Sequence, residues 1–275
     1  MDQPTVSFTI GQEELQLILK ALKIPTFPGL SLPADDQSEE ISAAVLLAAG
    51  RGLLARRLAT VNAEEKIALN PVLYTTIARC AALQQMSTII HWQHQQKPTI
   101  QYHYRHTDST VVYRPLLAGM HQFRSSTDGD MGADAVREWL AEVPQASPSG
   151  PVVTLPRTTI TEIKKLPAEQ SDVAITQLVT AGMSPLHAPQ LVHAMLNATL
   201  TVTFQLLYRV QPDPPQQMVT VLADDATCWI LQASHAQAPH VSVQCVTPAE
   251  VQQMVETTFA RFAETPLEQS RDEEP

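Results

Sequence analysis

The clearest pattern along the chain is an alternation of apolar and polar residues that recurs in four consecutive segments of its first half. Such alternation places successive side chains on opposite faces and is typical of half-buried β-strands. A helix that begins at Asn70-Pro71 precedes the four segments, and a helix over residues 133–143 follows them. The segments predicted to be strands are residues 87–93, 99–106, 110–116 and 120–126.

The same order of elements recurs in residues 185–263. Ser184-Pro185 stands at the start of a helix where Asn70-Pro71 stands in the first half, and a final helix begins at Thr247-Pro248. The strands predicted between these helices are residues 199–210, 218–223, 226–233 and 240–246. The recurrence predicts that the chain contains one structural segment twice.

This pattern predicts an internally duplicated α+β fold. We expect antiparallel sheets with helices packed on one face, because strands with one apolar face need cover on that face only. A pseudo-two-fold axis would relate the halves. The segment 144–151, rich in Pro and Ser, predicts the boundary between them. The predicted domains are an N-terminal α+β repeat at 1–145, a C-terminal α+β repeat at 151–265 and an acidic tail at 266–275.

The composition narrows the range of partners. The 275 residues carry a formal net charge of −10, which argues against binding to nucleic acid or to an anionic membrane surface. The three cysteines have no regular spacing, so a reducing compartment is expected. The amino terminus shows no leader pattern, and no apolar run reaches the length of a membrane span. We therefore expect a cytoplasmic protein.

The histidines invite the hypothesis of a metal site. His91 and His94 are three residues apart, as are His103 and His106, and on a strand this spacing points the two side chains to opposite faces. His91 and His103 could share a face across the first hairpin, but no cysteine or carboxylate joins them. A zinc site needs three or four convergent ligands. The sequence therefore predicts no bound metal and no cofactor.

No catalytic residue is predicted either. Cys80 lies in an apolar stretch of a helix, where a buried thiol is favoured over a reactive one. Cys228 and Cys245 lie on neighbouring predicted strands, and a short turn would point them to opposite faces without a disulfide bond. Gly50 and Gly52 lie inside an apolar helix and lack the lysine and hydroxyl residues that end a phosphate-binding loop.

One polar face of the predicted sheet carries several basic residues. If Ile100, Tyr102 and Tyr104 face the helices, the residues between them face outward together with residues of the neighbouring strands. Two interpretations remain open: a solvated polar face or a surface that contacts a partner. The candidate partner-binding residues are His91, His103, Arg105, Arg114 and Arg124.

Three segments resemble a known protein family. Residues 6–28 are similar to the opening strand, helix and aromatic-proline loop of the EspG family, which comprises cytoplasmic chaperones of mycobacterial type VII (ESX) secretion. Residues 68–93 resemble the family's helix that begins at Asn-Pro and runs through a cysteine into a strand, and residues 110–126 resemble two further strands. The chain departs from the family in having Ala81 and Ala82 where a proline is usual.

The resemblance implies a quasi-two-fold α+β fold and a cytosolic chaperone or adaptor. Its clients would be small helical secreted proteins of the PE/PPE or WXG type. The absence of catalytic motifs favours such a binding protein over an enzyme. Two alternatives stay open on the sequence alone: an enzyme of unrecognised class, and a structural or regulatory subunit of another bacterial assembly.

Overall fold

The chain folds as an α+β protein with antiparallel strands and eight α-helices among its described residues. Its structure is a computed structural model that describes residues 6–24, 27, 39–63, 66–81, 85–93, 97–106, 108–127, 131–141, 143–144, 147–208, 217–234 and 238–264. The chain divides into two compact units. The first unit comprises residues 1–84 and 101–129, and the second comprises residues 85–100 and 130–275.

The strands of the first unit form an antiparallel sheet in the order β1-β7-β6-β5. Its elements, in chain order, are β1 (Val6–Gly11), α1 (Gln12–Ala21), α2 (Glu39–Ala55), β2 (Ala59–Val61), β3 (Ile67–Leu69), α3 (Pro71–Ala81), β5 (Thr99–Arg105), β6 (Thr110–Pro115) and β7 (Met120–Ser126), with β4 belonging to the second unit.

One face of this sheet is aromatic and buried. Tyr102 pairs with Tyr113, Tyr113 with Phe123, and Phe123 with Phe8, so their rings lie side by side across four strands. Phe27 packs on this row, with its ring centroid 5.0 Å from that of Tyr113. Ring pairs at such separations add to the stability gained by burial. The row forms the core of the first unit.

Helices α1 and α3 cover the aromatic face. Helix α3 contacts β6, which places it against this face. Burial raises the pKa of Tyr104, and the nearby Cys80 of α3 raises it further. Asn70 caps α3 as the sequence predicts, because its Oδ1 accepts a hydrogen bond of 2.9 Å from the Val72 backbone. Helix α2 packs on α1, and Arg56 just beyond it pairs with Glu14.

The second unit contains six strands and five helices among its described residues. The strands form an antiparallel sheet in the order β4-β9-β10-β11-β12-β8. Its elements are β4 (Gln85–Gln93), α4 (Met131–Leu140), β8 (Val153–Pro156), α5 (Arg157–Ile163), α6 (Ser171–Thr180), α7 (His187–Asn197), β9 (Leu200–Tyr208), β10 (Gln217–Ala223), β11 (Cys228–Ala233), β12 (His240–Cys245) and α8 (Pro248–Glu264).

Helices cover both faces of the second sheet, which differs from the one-sided cover that the sequence predicts. Ile230 belongs to a core with α4 and α8, whereas its neighbour Leu231 belongs to a core with α5, α6 and α7. The physical reason is that residues 228–231 are apolar without alternation, so both faces of β11 need burial.

The segment predicted as a linker is attached to the second sheet. Ser147 is buried, and its Oγ accepts a hydrogen bond of 2.7 Å from the Cys228 backbone. The Gly150 backbone donates a hydrogen bond of 2.8 Å to the Cys245 carbonyl. Within the second compact unit, β4 pairs with β9 and α4 packs on α8.

The helices and strands of both halves follow one another along the chain in the predicted order. Thr247 caps α8 through reciprocal hydrogen bonds with Glu250, as expected for a helix that begins at Thr-Pro. In the strand orders β1-β7-β6-β5 and β8-β12-β11-β10, the strands that correspond in the predicted repeat occupy the same positions. The superposition of the two halves, and the division into domains at 1–145 and 151–265, stay predictions. The predicted tail at 266–275 lies outside the described residues.

Candidate protein-binding surface

The sheet of the first unit has a second face, opposite the aromatic row, that carries three arginines. Arg114 pairs with Gln122, and Arg124 pairs with Val112, so Arg114 and Arg124 are diagonal neighbours on adjacent strands. Arg105 lies on the same face of β5, since it is two residues from His103, which pairs with Val112. The side chains that define this arginine face are Gln101, His103, Arg105, Val112, Arg114, Gln122 and Arg124.

The arginine face reaches solvent unevenly. Arg124 is exposed, whereas Arg105 and Arg114 are half-buried. The Nε atom of Arg114 is buried and has no hydrogen-bond partner among the residues that the structure describes. The strands β1, β5, β6 and β7 contain no Asp or Glu, so the face carries positive charge without an acidic residue of its own strands.

His103 lies within this face but is buried, with 3% of its surface exposed. Neither ring nitrogen has a hydrogen-bond partner in the described part of the chain. Burial lowers the pKa of His103 to about 3, so the ring is neutral at physiological pH. His103 therefore adds no charge to the surface and is too buried for direct contact with a partner.

His91 does not belong to the exposed face that the sequence predicts for it. It lies on β4 in the second unit, on the same face as Ile89, and its ring stacks on Trp139 of α4 with centroids 4.5 Å apart. The error arises because Ile89 and Ile90 are both apolar, so the alternation in β4 does not distinguish its faces.

The remaining candidates for chemistry have structural surroundings. The Nε2 of His106 lies 3.0 Å from the Arg79 carbonyl oxygen. Cys80 is buried, its thiol donates to the Thr76 carbonyl, and burial raises its pKa. Among the residues that the structure describes, no three His, Cys, Asp or Glu side chains converge as a metal site. His94 lies outside those residues.

The other cysteines are also free thiols in the structure. Cys228 belongs to the core under α4 and α8, whereas Cys245 belongs to the core under α5 to α7, so they face opposite sides of the sheet as the sequence predicts. Burial raises the pKa of both thiols, and that of Cys228 reaches about 12. Thiols with such pKa values are poor nucleophiles.

The sequence did not reveal a polar cluster at the turn between β10 and β11. Asp224 is buried, and its carboxylate accepts hydrogen bonds from the backbones of Ala226 and Thr227. The Nδ1 of His193 lies 2.9 Å from the other carboxylate oxygen. Burial alone would raise the pKa of Asp224, but these hydrogen bonds together lower it. The cluster fixes a tight turn, and the Asp-Asp pair in the sequence signals only the turn.

A second missed feature is an exposed apolar patch on the first unit. The hairpin of β2 and β3 lies on α2. Ile67 is so close to Gly50 that a Cβ atom at position 50 would lie 2.8 Å from the Cδ1 atom of Ile67. Val61 pairs with Ile67, and both are exposed, as is Leu47 one turn before Gly50. We call Leu47, Val61 and Ile67 the hairpin patch. The strands β2 and β3 have three residues each, which is too short for an alternation of apolar and polar residues to predict them.

Comparisons with known proteins support the fold. No protein-family model matches the chain, and no curated protein matches it in sequence. Among the solved structures that it resembles is the Mycobacterium tuberculosis type VII secretion system chaperone EspG5, in complex with the PE25-PPE41 dimer. The similarity covers 92% of this chain and 96% of that chain, with a TM-score of 0.62 and 14% sequence identity.

These values establish an EspG-like α+β fold for the chain, in agreement with the resemblance seen in three sequence segments. In the described residues, no helix combines the length and the apolar character needed to cross a bilayer.

Proposed function

We propose that this protein is a cytosolic chaperone or adaptor that binds helical protein clients of a type VII-like secretion system. The observation that carries the proposal is the structural similarity to a type VII secretion chaperone over 92% of the chain. That chaperone was solved in complex with a dimer of two other proteins, PE25 and PPE41. The partner proposed here is likewise a pair of proteins, both small, helical and secreted.

A binding role also agrees with the local chemistry. The buried thiols have raised pKa values, and the Asp224 carboxylate is engaged by hydrogen bonds within its own turn. The similarity to a chaperone supports a non-catalytic role. Of the five candidate contact residues, Arg105, Arg114 and Arg124 remain as the proposed contact surface. His91 and His103 are not part of this proposed surface, because His91 stacks on Trp139 and His103 is buried.

Co-expression tests the proposed function directly. The tagged protein is produced together with each small helical protein pair that the same genome encodes beside a secretion system. We expect at least one pair to co-elute with it in size-exclusion chromatography and to become more soluble in its presence. An unrelated helical bundle of equal size is the control. If no pair co-elutes, or if the unrelated bundle does so equally well, the proposed function is wrong.

A further inference from the structure

We propose that the arginine face receives an acidic helical segment of a partner protein, whose carboxylates dock on Arg114 and Arg124. This inference rests on the proposed function and adds the chemistry of the contact. It requires the face to be locally positive, to be open at its arginines, and to match the spacing of acidic residues on a helix.

The local charge is opposite to that of the whole protein. The chain has a net charge of −10, yet the four strands that form the face contain Arg105, Arg114 and Arg124 and no Asp or Glu. The first unit as a whole carries ten Lys and Arg against eleven Asp and Glu, whereas the second carries eight against seventeen. Positively charged side chains such as Arg114 and Arg124, on strands that contain no acidic residue, attract carboxylates and repel basic segments.

Arg114 and Arg124 retain unused hydrogen-bonding capacity. Arg124 is exposed and makes no ion pair among the described residues. The Nε of Arg114 is buried without a hydrogen-bond partner in the described part of the chain. A guanidinium with a free edge can bind a carboxylate through two parallel hydrogen bonds. An incoming carboxylate would dock on the exposed guanidinium of Arg124 and on the part of the half-buried Arg114 side chain that reaches solvent.

The spacing fits a helix. Arg114 and Arg124 are diagonal neighbours on adjacent antiparallel strands, which places their Cβ atoms somewhat less than about 7–8 Å apart. Acidic residues four positions apart on a helix have Cβ atoms about 5–6 Å apart. The long arginine side chains can span this difference, so two carboxylates one turn apart can engage both guanidinium groups together.

A second copy of this chain is a less suitable occupant of the same face. In a symmetric dimer built on this surface, Arg114 and Arg124 of one copy would lie near the same residues of the other, and like charges would repel. The hairpin patch offers an alternative docking surface, but it is apolar and would recognise apolar side chains instead of carboxylates.

The first measurement uses any client pair found by co-expression. We expect the double variant Arg114→Glu, Arg124→Glu to weaken client binding at least tenfold, and we expect wild-type binding to weaken as salt rises. The matched control is Lys20→Glu, Lys23→Glu, which makes the same change in net charge at exposed positions of the first unit. Client binding that is equal in both double variants would overturn the docking proposal and leave the proposed function intact.

The second measurement does not depend on a client. Two Ala- and Gln-based helical peptides differ only in carrying two Glu or two Lys residues four positions apart, and their binding is followed by fluorescence anisotropy at low salt. The net charge of −10 favours the Lys peptide at unspecific sites. We therefore expect a preference for the Glu peptide that disappears in Arg114→Glu, Arg124→Glu.

Three results of the peptide measurement would contradict the proposal. They are a preference for the Lys peptide, a preference for the Glu peptide that persists in the double variant, and binding that is lost only when Leu47→Asp alters the hairpin patch. If no client is found, the proposed function is wrong. The peptide measurement still tests whether the arginine face binds carboxylates.

Discussion

The two compact units differ in how their sheets are covered and in how charge is distributed. In the second unit, neighbouring residues of β11 lie in two separate cores on opposite faces. In the first unit, neighbouring residues of β7 alternate between the aromatic row and the arginine face. The second unit also carries most of the excess negative charge. The comparison shows that the second sheet is buried on both faces, whereas the first sheet keeps one face with exposed and half-buried arginines.

The largest effect is expected in the first unit, at two adjacent positions of β7. Phe123→Ala removes a fully buried ring that packs on Phe8 and Tyr113, and should lower the free energy of unfolding by about 3–5 kcal/mol. Arg124→Ala, one residue further, should change it by no more than about 0.5 kcal/mol, because that side chain is exposed. Urea unfolding measures both. A loss above about 2 kcal/mol for Arg124→Ala would show that the arginine face is structural.

The same test in the second unit should give two large effects in place of one. Ile230→Ala and Leu231→Ala each remove a buried aliphatic side chain, one from each core, and each should cost about 2–4 kcal/mol. In the double variant the two losses of unfolding free energy should add, since the two side chains lie on opposite faces. If one of the single variants costs less than about 1 kcal/mol, the second sheet is not buried equally on both faces.

A smaller effect concerns buried titratable groups. The folded pKa of His103 is about 3, below the ordinary value of 6.5, so between these values the unfolded chain binds a proton that the folded chain does not. The contribution of His103 to the free energy of unfolding is therefore complete above pH 6.5. It falls as the pH drops, by at most about 1.4 kcal/mol per pH unit. His103→Leu should reduce this slope between pH 6.5 and 4.5.

This pH window separates the two units. Hydrogen bonds lower the pKa of Asp224 in the second unit below its ordinary 3.8, so its contribution is lost only at more acid pH. The control is His240→Leu, because His240 is exposed. Thermal or urea unfolding at several pH values measures the slope. Equal slopes for wild type and His103→Leu would mean that the histidine is not held neutral in the folded state.

Local signals in the sequence predicted much of this fold. Asn70-Pro71 and Thr247-Pro248 mark helix starts because a capping side chain and a proline at the first helical position act within one turn. The alternation in β5 and β7 placed Arg105 and Arg124 on one face because strand side chains alternate regardless of what packs on them.

Features that depend on tertiary packing were not predictable in this way. The burial of His103 and the stacking of His91 on Trp139 depend on which element covers a given stretch of strand, and a single polar residue carries no sign of that. The apolar run 228–231 indicated burial on both faces of β11, but alternation in the other strands favoured one-sided cover. The hairpin of β2 and β3 was not predicted because each strand has only three residues.

The pairing of β4 with β9 has a consequence for synthesis on the ribosome. Gln85 pairs with Tyr208 and Gln93 with Leu200, so each partner in this ladder is more than 100 residues away along the chain. β4 must remain without its β9 partner until translation has passed residue 208. At about 5–20 residues per second, that interval lasts on the order of 5–25 seconds. During this time the apolar side chains of β4, such as Ile89, lack their final cover, so we expect the nascent chain to be sensitive to aggregation until the second unit closes.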